Sequence, residues 1–218
     1  MDNLVSGDKC DQKRLVISFV VTVALIILEL VGLSLSVQAH GAGLFVFYTE
    51  DSNIFSLVAC VFYACFLARQ AITGRLVPTW VIKLRYISVC CLTLTFLVVA
   101  FVLAPLSGQN GYAMMFLSGS MLYFHLLCPI LAILSSLLVD PRGASGLTDA
   151  RLAIIPTTLY AAVLIFLNLI RVVSGPYPFL KVYDQSVWAS VGWVVAIVGG
   201  AYLIALAIAR MQLSLRKG

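Results

Sequence analysis

Six long apolar runs alternate with short polar segments along the chain, at about 15–37, 46–68, 84–103, 118–139, 152–171 and 187–209. Each reaches the roughly 20 residues that an α-helix needs to cross the hydrocarbon core of a bilayer. Within several of them the sparse polar residues recur every three or four positions, which places them on one helical stripe. Thr22, Leu25, Glu29, Gly32 and Ser36 share a face of the first run, and Thr49, Asn53, Ser56 and Cys60 a face of the second. The fourth carries Ser118, Met121, His125, Cys128, Ala132 and Ser135 in line; the fifth carries Thr157, Tyr160, Leu164, Asn168 and Arg171. The pattern predicts an all-α, polytopic integral membrane protein, a single six-transmembrane-helix bundle over residues 1–218 with short loops. The third run holds Thr93 and Thr95 but nothing ionisable and reads as scaffold. The sixth reads as scaffold too, with Gly192, Ala196 and Gly200 forming a small-residue face suited to close helix contact. Segment 105–117 is uncharged and reads as a loop on the bilayer surface. The second helix is expected to enter through Ser52 or Asp51 as N-cap, and the fourth to stop at Asp140 and Pro141.

Composition agrees: of 218 residues, 62% are hydrophobic and only 11% charged, with mean hydropathy +1.06, so no interval is left for a soluble domain. The net charge of +5 would suggest a nucleic-acid partner in a soluble protein. Here its distribution speaks for topology instead, because twelve of the 14 basic residues fall in the N-terminal tail, the second loop (with Lys83 and Arg85 counted there), the fourth loop and the C-terminal segment. Arg171 and Lys181 alone fall on the other side, so the positive-inside rule puts both termini in the cytoplasm. The first run is too long for the ~7–15-residue core of a cleaved signal peptide and contains Glu29; it is expected to stay as a helix. Cys60, Cys65, Cys90, Cys91 and Cys128 lie in spans and Cys10 in the tail, which suits packing groups better than disulfides.

Chemistry concentrates around His125. A titratable ring inside an apolar span is costly against lipid and is expected to face protein or water. Pro129, four residues on, has no N–H for the His125 carbonyl and its ring clashes there, so the helix is expected to loosen at the histidine. Helical rise lets sequence distance stand for depth. Glu29, fifteen residues from Arg14, and His125, fifteen from Asp140, both come out about 22 Å above the cytoplasmic edge. Asn168 falls near 25 Å and Thr49 near 30 Å on the same scale.

A hydroxyl, an imidazole and a carboxylate in the outer third of the membrane are the parts of a nucleophile, a base and an orienting group. Thr49, His125 and Glu29 fill those roles in one reading, with Asn53 or Asn168 stabilising an oxyanion and Tyr48, Arg171, Tyr177 and Phe179 rimming the cavity. Other readings stand beside it. His125 and Glu29 pair to fix helix register, or the same cavity serves a non-catalytic lipid-binding protein or a small transporter. A metal site is disfavoured by the lack of a third ligand at that level, and no cofactor is expected.

Tyr48, Thr49, Ser52 and Asn53 at the head of the second helix, His125 with Pro129 in the fourth, and the run Tyr177, Pro178, Phe179, Leu180 before the sixth carry a resemblance. The chain resembles the androgen-induced gene type of six-span membrane proteins. The resemblance implies an intramembrane threonine hydrolase of fatty acid esters of hydroxy fatty acids, with Thr49 as nucleophile, His125 as its base and a membrane lipid or acylated small molecule as substrate. Glu50 and Asp51, directly after the threonine, depart from the apolar residues that the family pattern leads one to expect.

Overall fold

The computed structural model describes residues 2–139 and 147–215. The expected stop at Asp140 and Pro141 lies outside the described residues. Six helices are long and apolar enough to cross a membrane, and no strand occurs among the described residues. The first helix runs Asp2–His40 and continues into a 3₁₀ segment, Gly41–Val46. The second is Tyr48–Thr73, the third Thr79–Leu106, the fourth Gly119–Val139, the fifth Thr148–Leu169 and the sixth Val187–Leu215. Several of these pass the ends of the apolar runs, because backbone hydrogen bonding continues after hydropathy falls. Segment 105–117 is not wholly a loop as expected: Gly111–Leu117 folds as a short helix before the fourth span.

The polar stripes turn inward. Ser18, Thr22, Leu25, Glu29 and Ser36 of the first span are buried, as are Thr49, Asn53, Ser56 and Cys60 of the second and Thr157, Leu164 and Asn168 of the fifth. Helices in lipid gain nothing from burying apolar surface against one another, so close packing and interhelical hydrogen bonds hold them together. Gly32 is one such place: a Cβ there would lie 2.5 Å from Phe124 Cε1 and 2.9 Å from Tyr123 Cβ, so only hydrogen allows the first span this close to the fourth. The small-residue face of the sixth span does something else. A Cβ at Gly192 or Gly200 meets open space, and the buried line of that helix is Ala201, Ala205, Ile208, Ala209 and Gln212. Its alanines admit the Tyr86 hydroxyl, which donates to the Ala205 carbonyl at 2.7 Å.

Lys83 and Arg85 do not lie in the second loop, where their charge would place them. The third helix begins at Thr79, directly after Pro78, and both residues are part of it. They are tolerated because neighbours satisfy them: Lys83 Nζ is 2.8 Å from Asp149 Oδ1, and Arg85 Nη2 donates to Ser135 Oγ at 2.6 Å with its guanidinium over the Tyr63 ring. Gln212 Nε2 donates to Ser136 Oγ at 2.7 Å nearby. These ties lock one end of the bundle and leave the other end to the site.

The fourth span departs from regular α-helix where Pro129 requires it. Leu122–Leu127 forms a π-turn, in which the Cys128 N–H reaches back five residues to the Tyr123 carbonyl. A second π-turn covers Ser135–Val139. Such widened turns rotate the residues before them relative to an ideal helix and recur at functional sites. His125 lies inside the first one.

Candidate active site

Thr49 owes its position to an early helix start. The second span begins at Tyr48 with Phe47 extended before it and no side-chain cap, so the expected cap at Ser52 or Asp51 is corrected by one turn. Thr49 therefore sits in the first turn, where backbone N–H groups have no intrahelical partner. Its N–H donates to Tyr177 Oη at 3.4 Å. Its carbonyl accepts from Asn53 Nδ2 at 2.7 Å and from Ser52 Oγ at 3.0 Å. Ser52 Oγ is in turn 3.0 Å from Thr95 Oγ1, which ties the third span to the back of the site. Glu50 and Asp51 occupy the same first turn, where negative side chains complement the helix dipole.

The hydroxyl of Thr49 meets the imidazole, with Oγ1 3.2 Å from His125 Nε2. The other ring nitrogen, Nδ1, is 2.6 Å from the backbone carbonyl of Met115 in the short helix. A carbonyl only accepts, so Nδ1 carries the proton and Nε2 of the neutral ring is left as an acceptor. The threonine O–H then donates to it. Phe116 packs edge-on against the ring, with centroids 6.4 Å apart, and Thr49 and His125 are both buried.

Glu29 does not take the orienting role expected of it. It lies beside Ser56 and Cys128, whose side chains face its carboxyl, one helical turn along the fourth span from the imidazole. Depth placed it to within a turn, but a turn is about 5.4 Å. The orienting group is the Met115 carbonyl, which leaves no mark in a side-chain pattern. Neither asparagine is aimed at the threonine hydroxyl. Asn53 spends its amide on the Thr49 and Phe124 carbonyls, at 2.7 and 3.5 Å. Asn168 clamps the loop before the sixth span, donating to the Val173 carbonyl at 3.0 Å and accepting from the Val182 N–H at 3.1 Å. Arg171 is not on the rim: it adopts φ 60° at the end of the fifth span, lies over the Tyr183 ring and lines a separate loop cavity with Lys181 and Asp184.

Tyr48, Tyr177 and Phe179 do line the site. The Tyr48 hydroxyl is 2.7 Å from Thr157 Oγ1 and its ring is edge-on to Tyr160. Tyr177 stacks on Phe179 at 5.1 Å, and Phe179 leans on Trp193 of the sixth span. Burial pushes the Tyr177 phenol up to about 12, so it keeps its proton at neutral pH.

Thr49, Tyr177 and Leu103 stand between two cavities. One is a thin slot of about 50 Å³ among the second, third, fifth and sixth spans, walled by carbon from Leu94, Val98, Trp193, Val194 and Ile197. The other is a chamber of about 240 Å³ that contains His125 and a second set of polar groups, Glu50, His40 and Ser107. The third and sixth spans, read as scaffold, thus form much of the slot. Cys60, Cys65, Cys90, Cys91 and Cys128 are free thiols, and no group of three or more potential metal ligands occurs among the described residues. No family model, no curated protein and no solved structure matches this chain.

Proposed function

We propose that the protein is an intramembrane hydrolase of a lipid ester, with Thr49 as nucleophile and His125 as general base. One observation carries the reading: the Thr49 hydroxyl is hydrogen-bonded to Nε2 of a histidine whose Nδ1 is held by a backbone carbonyl. That is the tautomer a base needs, and the third group of the triad logic is a carbonyl in place of a carboxylate. Thr49 and His125 are also the residues that the resemblance to the androgen-induced gene type nominates.

Thr49 Oγ1 attacks the acyl carbonyl carbon while His125 Nε2 takes its proton, and the imidazolium so formed is stabilised through Nδ1–H by the Met115 carbonyl. The negative charge that develops on the carbonyl oxygen requires a donor in a site closed to water. Tyr177 is the group placed for it. Its oxygen already accepts the Thr49 N–H, so its own O–H remains to be given. Collapse expels the alcohol, which takes the proton from Nε2. A water deprotonated by the same nitrogen then attacks the acyl-threonine and releases the acid.

The slot suits an acyl chain because its walls are apolar. A chain entering it displaces side chains of the sixth span, which is the least buried of the six, with 17% of its most apolar window inside the protein. The excess of positive charge at the opposite end supports a site in the outer half of the bilayer with both termini in the cytoplasm.

The test is turnover of a long-chain umbelliferyl ester by the purified full chain in nanodiscs. Thr49→Ala and His125→Ala should each lower kcat by at least about 100-fold. Equal turnover by all three proteins would refute the assignment. Saturable binding of the ester without turnover would make it a lipid-binding protein that uses the same cavities.

A further inference from the structure

Glu50 is adjacent to the nucleophile in sequence, only 3% exposed, and part of the wall of the His125 chamber. Helix geometry accounts for an acidic residue in a first turn but not for burying it in a cavity next to a reactive hydroxyl. Its carboxyl is fixed from outside the helix: Ser36 Oγ of the first span donates to Oε1 at 3.0 Å. With a second bond from its own backbone N–H, the carboxyl still has accepting capacity to spare, since its two oxygens offer about four lone-pair sites. Two further polar residues line the same chamber. His40 is exposed at the end of the first span, with its ring 5.4 Å from Phe47, and Ser107 follows the third. The polar wall belongs to the chamber and the apolar wall to the slot, with Thr49 in both.

Resting on the hydrolase reading above, we propose that Glu50 selects the alcohol half of the substrate: the chamber takes an alcohol that carries further hydroxyl groups, as glycerol does, and disfavours one that carries a free carboxylate. With the acyl chain in the slot and its carbonyl at Thr49, the ester oxygen and everything beyond it point into the chamber. A hydroxyl there donates to Glu50, and a charge-assisted hydrogen bond of this kind is among the stronger polar contacts. A substrate carboxylate brings a second acid close to the buried one, where both cannot be ionised cheaply. The two substrate types separate on this one residue. Hydroxy fatty acid esters, the class implied by resemblance, bear that free carboxylate, so the prediction runs against them.

The full chain in nanodiscs is assayed with 1-oleoylglycerol, with the oleoyl ester of a hydroxystearic acid, and with the methyl ester of that same acid. Wild type should favour the glycerol ester over the free acid by about tenfold or more in kcat/KM, the ratio one hydrogen bond to a charged group supplies. Methylating the free acid should recover much of the difference without any change in the protein. Glu50→Gln keeps an oxygen for Ser36 but removes the charge, and should narrow the ratio by a similar factor. Equal cleavage of all three esters by wild type overturns the proposal, as does a ratio that Glu50→Gln leaves unchanged. In either case Thr49-dependent turnover would leave the hydrolase reading standing. If wild type cleaves none of the three and Thr49→Ala behaves identically on a generic ester, the hydrolase reading falls and this inference with it.

Discussion

The orientation of His125 by a main-chain carbonyl is open to a single small perturbation. Gly111 opens the short helix that carries Met115, and a Cβ there would meet the backbone carbonyl of Ala104, which cannot swing aside as a side chain would. Gly111→Ala therefore drives the short helix back by roughly an ångström to restore van der Waals distance. A hydrogen bond of 2.6 Å between His125 Nδ1 and the Met115 carbonyl does not survive a shift of that size along its axis. Overpacking of this kind costs about 1–3 kcal/mol of stability. The lost bond holds a ring that turns cationic in the transition state and is worth about 1.5–3 kcal/mol, which is about 10–100-fold in kcat. The assay is ester turnover with thermal unfolding measured on the same preparation, and Ala113→Ser on the exposed side of the same helix serves as control. A folded Gly111→Ala protein whose kcat stays within twofold of wild type would refute the claim that the Met115 carbonyl sets the base.

Other expectations follow from the same geometry. Tyr177→Phe keeps the stack on Phe179 but removes the oxyanion donor, so kcat should fall about 10²–10³-fold with KM little changed; a loss under threefold would reassign the donor. Because burial raises the Tyr177 phenol from its ordinary 10 to about 12, its O–H persists in the fold at pH where a free phenol ionises. The associated stability is complete below pH 10 and is lost as pH rises through about 12, so unfolding temperature should drop over that range, and less so in Tyr177→Phe. Glu29→Met should leave turnover within about threefold and hold or raise the unfolding temperature, since it replaces a fully buried carboxyl by an apolar side chain of similar length; a hundredfold loss of kcat in a stable protein would restore Glu29 to the catalytic group. Gly32→Ala should cost about 1–3 kcal/mol in stability, because Phe124 at 2.5 Å is itself buried beside His125; an unfolding temperature equal to wild type would show the contact to be slack.

The six spans and their inward stripes were legible because hydropathy and a three-to-four residue spacing report directly on lipid and helix. Depth, read from a fixed rise per residue, set Glu29 level with His125 and Thr49 about 8 Å further out, although Thr49 Oγ1 is the group that lies 3.2 Å from the ring. It carries no azimuth and no resolution below a turn, which is why Glu29 looked like the partner of a ring that it misses. Pro129 announced a loosened helix, and the π-turn at Leu122–Leu127 is the form it takes. Met115 was beyond reach for a different reason: its contribution is a carbonyl that every residue has, delivered by a short helix in a segment without polar pattern. Asn168 and Arg171 shared a stripe with Thr157 and Tyr160, which line the slot, but lie at the end of the fifth span, where the chain turns away to build the Tyr177 loop. Lys83 and Arg85 were assigned to a loop by charge alone, since the partners that hold them come from other helices.

The account stands on Thr49 as the attacking group, and that is measured most directly by covalent labelling. A long-chain fluorophosphonate is incubated with the reconstituted full chain and the adduct mapped by mass spectrometry. The expected result is a single phosphonyl group on Thr49 in wild type, absent in Thr49→Ala and slowed at least about 100-fold in His125→Ala. Equal labelling of the three proteins, or an adduct on another residue with Thr49 untouched, would contradict it.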